Sequence, residues 1–390
     1  MEREPTGLPV TLTVPGRPPG HCGVSAPLGC AAMERFGFVG LPNAGKSSLY
    51  NALSGGSALA APYAFATTEA NVGMAKVPDA RLDALAALHT SRSVIPAAVQ
   101  FVDIGGLVEG ASKGEGLGNR FLADIREVDA IVYVLRAFAD PDVPGPTDPA
   151  DTLRVLETEL SLADLEAVER HADKRRKAAK NDPAVAAELA SLDAAAAVLA
   201  EGTPIYRSSI DPGLRAGLAP FFLLTDKPVL AVVNIGEDQL ADPAPVVAAV
   251  QAELGDHGEA IAVSVQLEAE AAQLAPDDRA DMLEALGLGE GALGRFVRAA
   301  YHLLGLRTFF TSGEKETRAW TFRAGWKAPR CAGVIHSDFE RGFIRAEVIG
   351  ADELIELGSL AKAREAGRLR VEGKDYEVAD GDVLDIRFNV

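Results

Sequence analysis

Apolar residues recur along this chain in two ways that together predict an α/β architecture. Short, nearly unbroken apolar runs occur at 35–39, 97–102, 130–135, 228–233 and 260–263, with helix-like stretches between them. Runs of that length without alternation fit strands of a parallel sheet buried on both faces. Such sheets bind ligands at the carboxyl ends of their strands. There the runs lead into a glycine-bounded loop at Gly40 or stop on Asp103, Asn234 and Ser264.

Two other patterns flank or interrupt this series. Between the third and fourth runs, Leu153, Leu156, Leu160, Ala163 and Ala167 recur three and four apart; after Asn181-Asp182-Pro183, so do Val185, Leu189, Leu192, Ala196 and Leu199. That spacing predicts an antiparallel helical pair with an alanine-rich seam. Its tip gathers Arg170, His171, Lys174, Arg175, Arg176, Lys177 and Lys180, a run that is either a solvated face or a contact for RNA phosphates. From Leu306 the pattern becomes short alternating strands at 308–311, 318–322, 343–348, 374–378 and 383–388, with one helix at 351–363. These predict a small α+β domain. Residues 1–32 are rich in proline and glycine and show no apolar period. They are expected to be a disordered extension, or upstream sequence before a natural start at Met33.

The length of 390 residues implies two or three domains. A formal net charge of -18 argues against a surface that coats nucleic acid throughout, while leaving room for a local basic patch. Cys22, Cys30 and Cys331 are too scattered for a disulfide framework, and no Cys/His spacing suits a structural zinc. No unbroken apolar run approaches the ~20 residues of a membrane span. The expectation is a cytoplasmic, monomeric protein without a membrane partner.

Chemistry concentrates at the strand ends. Gly40-Leu41-Pro42-Asn43-Ala44-Gly45-Lys46-Ser47 fits the phosphate-loop pattern, in which backbone N–H groups and a helix N-terminus converge on phosphate oxygens. Lys46 would reach the β and γ phosphates, and the Ser47 hydroxyl would ligate Mg²⁺. Asp103-Ile104-Gly105-Gly106 ends an apolar strand, as a Walker-B aspartate does. Asp103 would hold Mg²⁺ through water and Gly106 would turn its N–H to the γ-phosphate. The next residue, Leu107, cannot orient a water as glutamine does in Ras-type enzymes. Thr67 and Thr68 lie where a switch threonine closes on the metal, or are simply solvated. Asn234-Ile235-Gly236-Glu237 stands where guanine-specific proteins carry N-K-x-D. Glu237 is one methylene too long and Ile235 replaces the stacking lysine, so the clamp for guanine is spoiled and ATP is favoured over GTP. Ser264 would brush the base or cap a helix.

The phosphate loop with Leu41-Pro42-Asn43 and the long stretch Asp103-Ile104-Gly105-Gly106-Leu107-Val108-Glu109-Gly110-Ala111-Ser112-Lys113-Gly114-Glu115-Gly116-Leu117-Gly118-Asn119 resemble the YchF family of Obg-like ATPases. So do the N-x-x-E motif, Arg318-Ala319-Trp320, Ile335-His336-Ser337-Asp338-Phe339-Glu340 and the terminal Phe388-Asn389-Val390. The resemblance implies a P-loop NTPase (G-domain) fold with an inserted α-helical hairpin and a C-terminal α+β domain of β-grasp (TGS) type. On that basis the G domain is expected at 33–140 and 225–304, the insertion at 141–224 and the TGS domain at 305–388. It also implies Mg²⁺-dependent ATP hydrolysis and association with ribosomes. The family's nucleotide loop falls on Asn43, Ala44, Gly45, Lys46, Ser47 and Ser48, its magnesium ligands on Ser47 and Thr67, and its adenine contact on Ile235. Two features depart from the resemblance: Ala66 stands where many relatives carry a cysteine before the switch threonine, and no histidine occurs between His89 and His171, although some relatives have one shortly after the third strand. Two rival readings are a GTP-dependent translation or assembly factor, and an RNA-binding scaffold whose nucleotide is structural.

Overall fold

The computed structural model describes residues 33–54, 72–103, 117–286, 288–289 and 291–389. The extension 1–32, Ala66, Thr67, Thr68, Gly106 and Leu107 lie outside the described residues.

The first sheet is built from β1 (Arg35–Val39), β2 (Val72–Lys76), β4 (Ala98–Val102), β5 (Ala130–Arg136), β6 (Val229–Asn234) and β7 (Gly258–Val263), in the order β2-β4-β1-β5-β6-β7. Neighbours from β4 to β7 are parallel, and β2 runs antiparallel at the edge. Successive residues of β5 show why the run is unbroken. Ala130, Val132 and Val134 join a core with Phe36, Phe38, Phe101 and the helices Lys46–Ser54 and Ala292–Leu303. Ile131, Tyr133 and Leu135 face a second core with Leu153, Leu156, Leu160, Val250 and Leu254 from the helices Pro149–Arg176 and Ala244–Leu254. A strand covered on both faces has no polar side to alternate with. β1 sits between β4 and β5, so the chain after it leaves the carboxyl edge near the centre of the sheet.

The helical insertion departs from the expected seam. Leu153, Leu156, Leu160 and Ala163 pack on the sheet core, not on the second helix. The pair meets farther out, where Val168 and Ala172 join Leu192, Ala195 and Leu199 of Pro183–Ala200. Both helices start at an aspartate cap followed by proline: Asp148 accepts from Asp151 N, and Asp182 from Ala184 N. The second helix has 18 residues and a mean hydropathy of 1.5, long and apolar enough by composition to cross a membrane. No unbroken apolar run marks it, because Glu188 and Asp193 interrupt it, and both pair with arginines of the first helix.

The second sheet has the order β11-β10-β12-β8-β9-β3, with β3 (Val94–Ile95), β8 (Leu306–Ser312), β9 (Thr317–Arg323), β10 (Phe343–Gly350), β11 (Arg370–Glu372) and β12 (Asp382–Phe388). A hairpin, β8–β9, and a parallel central pair, β8–β12, give the β-grasp arrangement. β3 comes from the first lobe and pairs parallel to β9, so the two lobes share a strand. Residues 374–378 do not form the expected strand: they make one bridge, Lys327 to Glu377, while the Asp382 carboxylate draws in Tyr376 OH and Ala379 N. The helix expected at 351–363 is two, Ala351–Leu357 and Leu360–Glu365, parted by Gly358 and capped afresh by Ser359.

Candidate nucleotide-binding site

The loop between β1 and the helix Lys46–Ser54 has a shape that its glycines permit. A Cβ on Gly40 would lie 2.5 Å from Val134 O of β5. Gly45 has φ +99°, and a Cβ there would meet Asn234 Nδ2 at 2.5 Å. Only glycine fits either place. Asn43, at the apex, takes a left-handed conformation with φ 64°.

Lys46, 7% exposed, donates through Nζ to Gly40 O at 3.0 Å and Leu41 O at 2.9 Å. Burial lowers its pKa and Asp103 opposes that shift. Ser47 Oγ donates to Asp103 Oδ2 at 2.8 Å, which joins the end of β4 to the start of the helix. Asp103 Oδ1 is buried without a hydrogen-bond partner among the described residues. Ala44 is buried and Ser48 is exposed on the first helical turn.

Asn234 binds within the protein at both ends of its carboxamide. Its Nδ2 donates to Ala44 O at 3.0 Å, and its Oδ1 accepts from Val265 N at 3.2 Å. One buried side chain thereby ties the phosphate loop to the ends of β6 and β7. Ile235 is buried in the second core and its N–H donates to Val263 O. Glu237 is exposed, and its side chain has no hydrogen-bond or ion-pair partner among the described residues; its carbonyl accepts from Leu240 N. Ser264 is 5% exposed at the N-cap of Val265–Ala271, without a side-chain capping bond. The hydrogen bonds thus join the phosphate loop directly to Asp103 and Asn234. Ile235, Glu237 and Ser264 sit on the adjoining strand ends.

Arg136, at the carboxyl end of β5, is a site residue that the sequence motifs do not single out. It is 3% exposed and donates to the carbonyls of Phe138, Asp140, Val143 and Pro144. A charge closing an otherwise apolar strand, just before a proline-rich turn, is its only signal in the sequence.

The basic hairpin tip is a separate feature. Arg170 pairs with Glu166, Arg175 with Glu188, and Arg176 with Asp173 and Asp193. Lys174 and Lys177 are exposed and have no acidic partner among the described residues.

Residues 35–181 match the family model described as a 50S ribosome-binding GTPase. Residues 306–389 match the YchF-GTPase C-terminal family, described as a protein of unknown function. The chain is 45% identical over 361 residues to a Bacillus subtilis protein named ribosome-binding ATPase YchF, covering 91% of this chain and 99% of that one. The chain belongs to the YchF family. A Haemophilus ducreyi protein of the same name is 46% identical over 362 residues, with coverage of 91% and 99%. Among solved structures, the YchF GTPase of Schizosaccharomyces pombe superposes with a TM-score of 0.82 at 32% identity, covering 93% of this chain and all of that one. The G-domain fold and the C-terminal lobe are therefore family features, and the candidate site lies within the G-domain fold.

Proposed function

We propose that this YchF-family chain is a cytoplasmic, Mg²⁺-dependent ATP hydrolase that associates with the ribosome. The observation that carries the hydrolase reading is the Ser47–Asp103 contact at the mouth of the glycine loop, beside a buried Lys46. Ser47 Oγ and the Asp103 carboxylate are hard oxygen donors of the kind Mg²⁺ takes, and the unpartnered Oδ1 of Asp103 fits a site built for such an ion or its waters. When bound, Mg²⁺ supplies neutralising charge against the β and γ phosphates. Lys46 does the same from the protein side, exchanging its loop carbonyls for phosphate oxygens. The N–H groups at the start of Lys46–Ser54 add fixed dipoles. Thr67 and Gly106 belong to this reading as further metal and γ-phosphate contacts. The division into 33–140 with 225–304, 141–224 and 305–388 belongs to it too, with β3 as the strand that crosses between lobes.

ATP preference is supported by Ile235 and Glu237, which cannot rebuild the paired acceptors that guanine requires. Names among relatives differ on this point, ATPase for the bacterial proteins and GTPase for the yeast structure. Titrating ATP and GTP with Mg²⁺, with and without ribosomes, is the test. ATP is expected to bind at least about tenfold tighter, since each hydrogen bond to the carboxylate that GTP lacks here is worth about 1.5–3 kcal/mol. Lys46→Ala is expected to abolish turnover. Equal or tighter GTP binding overturns the base assignment; Lys46→Ala turnover close to wild type overturns the hydrolase reading. Failure to sediment with ribosomes removes that partner.

A further inference from the structure

Arg136 is a buried guanidinium with no carboxylate beside it among the described residues. Burying an unpaired charge is costly unless its donors are satisfied. Here they are satisfied by one loop. Nε donates to Phe138 O at 3.1 Å, Nη1 to Val143 O at 2.9 Å and Pro144 O at 3.3 Å, and Nη2 to Asp140 O at 3.4 Å. The guanidinium also lies 4.5 Å from the Phe138 ring centroid. A planar fork with five donors is suited to gathering several carbonyls at once, which lysine cannot do from a single point.

That loop is anchored at both ends to the nucleotide site. At its start, Ala137 N and Phe138 N both donate to Asn234 O, at 2.9 and 3.2 Å. At its end, Pro144 O accepts from Asn43 Nδ2 at 3.2 Å. Asn43 is the left-handed apex of the phosphate loop, and its position decides where the neighbouring N–H groups aim. The loop therefore spans from the base-side strand β6 to the phosphate-side apex, and the Arg136 guanidinium bonds to carbonyls along it. Without the guanidinium, the carbonyls of residues 138–144 would have to turn toward water, and Pro144 would no longer be held in front of Asn43.

We propose that Arg136 is a positioning residue for nucleotide binding, holding the 138–144 loop in the shape that fixes Asn43 at the apex of the phosphate loop. The inference rests on the nucleotide-site reading above. Mg²⁺-ATP and Mg²⁺-ADP affinities of the full-length protein, measured by titration calorimetry, test it with Arg136→Met, Arg136→Lys, Asn43→Ala and the Arg136→Met/Asn43→Ala pair. Arg136→Met is expected to weaken both nucleotides about tenfold and to raise KM more than it lowers kcat, because ground-state placement is lost first. Arg136→Lys should fall between wild type and Met at about threefold. The double variant should be weaker than wild type by much less than the product of the single effects, since both act on one contact. A merely structural arginine would lower the melting temperature of every variant while leaving the affinity of the folded protein and the product rule intact. If Arg136→Met does not fold, Arg136→Lys carries the test. Wild-type affinity in the folded Arg136 variants, or independent multiplication with Asn43→Ala, overturns the inference. A wild-type protein that binds neither ATP nor ADP overturns instead the nucleotide reading on which it rests.

Discussion

Asn234→Ala is the sharpest probe of how this site is held together. The carboxamide makes two buried hydrogen bonds, to Ala44 O and from Val265 N, in a residue that is 5% exposed. Alanine removes both and leaves a carbonyl and an N–H facing a small hole. Each of the two bonds contributes about 1 kcal/mol, and a buried polar group left unpaired costs about 1–3 kcal/mol, so about 3 kcal/mol in total is expected even if a water enters. With an m-value of about 3 kcal/mol per M of urea, the unfolding midpoint should fall by about 1 M. The assay is urea denaturation of the nucleotide-free protein followed by far-ultraviolet circular dichroism. Tryptophan fluorescence in the same samples reports the other lobe, because both tryptophans, Trp320 and Trp326, pack in the C-terminal core. Glu237→Ala is the control, an exposed position where about 0.5 kcal/mol or less is expected. A midpoint shift below about 0.3 M for Asn234→Ala, or a shift seen only by fluorescence, would refute the idea that this side chain ties the three loops.

Two further outcomes follow from charges elsewhere. Burial, with Asp129 beside it, raises the Glu34 pKa from 4.5 to about 7, against the opposing pull of Arg323 across the lobe boundary. The folded protein thus keeps a proton that the unfolded chain releases, and stability should fall as pH rises from about 4.5 through about 7. Glu34→Gln should flatten that fall in a series of thermal melts across this range; an unchanged slope would show that the carboxyl does not titrate as described. At the hairpin tip, Lys174→Gln with Lys177→Gln should flatten the salt dependence of ribosome co-sedimentation by about 0.7–0.9 log units per decade for each RNA phosphate no longer neutralised. Changing Arg170, Arg175 and Arg176 should matter less, because these already face Glu166, Glu188, Asp173 and Asp193. Equal slopes for wild type and the lysine variant would leave the tip as a solvated face.

What can be read from the sequence follows from which constraints a residue type alone can report. β1, β4, β5, β6 and β7 announce themselves because burial on both faces leaves few places for polar residues, Gln100 in β4 being a buried exception. The edge strand β2 does not, since its inward residues are Gly73 and Ala75, too small to give an apolar signal. In the hairpin, helical spacing correctly marks a buried face at Leu153, Leu156 and Leu160 but is silent on what covers it, and the sheet covers it instead of the second helix. At 374–378 alternation is a poor guide because the Asp382 carboxylate, a few residues on, organises a turn through Tyr376 OH and Ala379 N, a constraint that alternation cannot report. In the candidate site, Gly40 and Gly45 are legible because glycine alone fits the backbone there, and Lys46, Ser47 and Asp103 because they are the residue types the proposed phosphate and Mg²⁺ chemistry calls for at that spacing. Arg136 is not, because its partners are carbonyls, which every residue supplies.

The same distinction bears on how a base would be chosen. Asn234 has both ends of its carboxamide committed to the frame, and Ile235 has its side chain in the core and its N–H on Val263. Neither offers a polar side-chain group free to change partners for one purine or another. Glu237 does, its side chain being exposed and unpartnered among the described residues, but it opens a short turn to which those residues give one side-chain tie, Gly236 N to Gln239 Oε1. A single carboxylate on a loosely tied turn gives weaker discrimination than a carboxylate fixed opposite two guanine donors. Under the proposed ATP reading, adenine preference would come from a guanine clamp removed, within a frame held by Asn234, and not from a new set of side-chain contacts to the adenine edge.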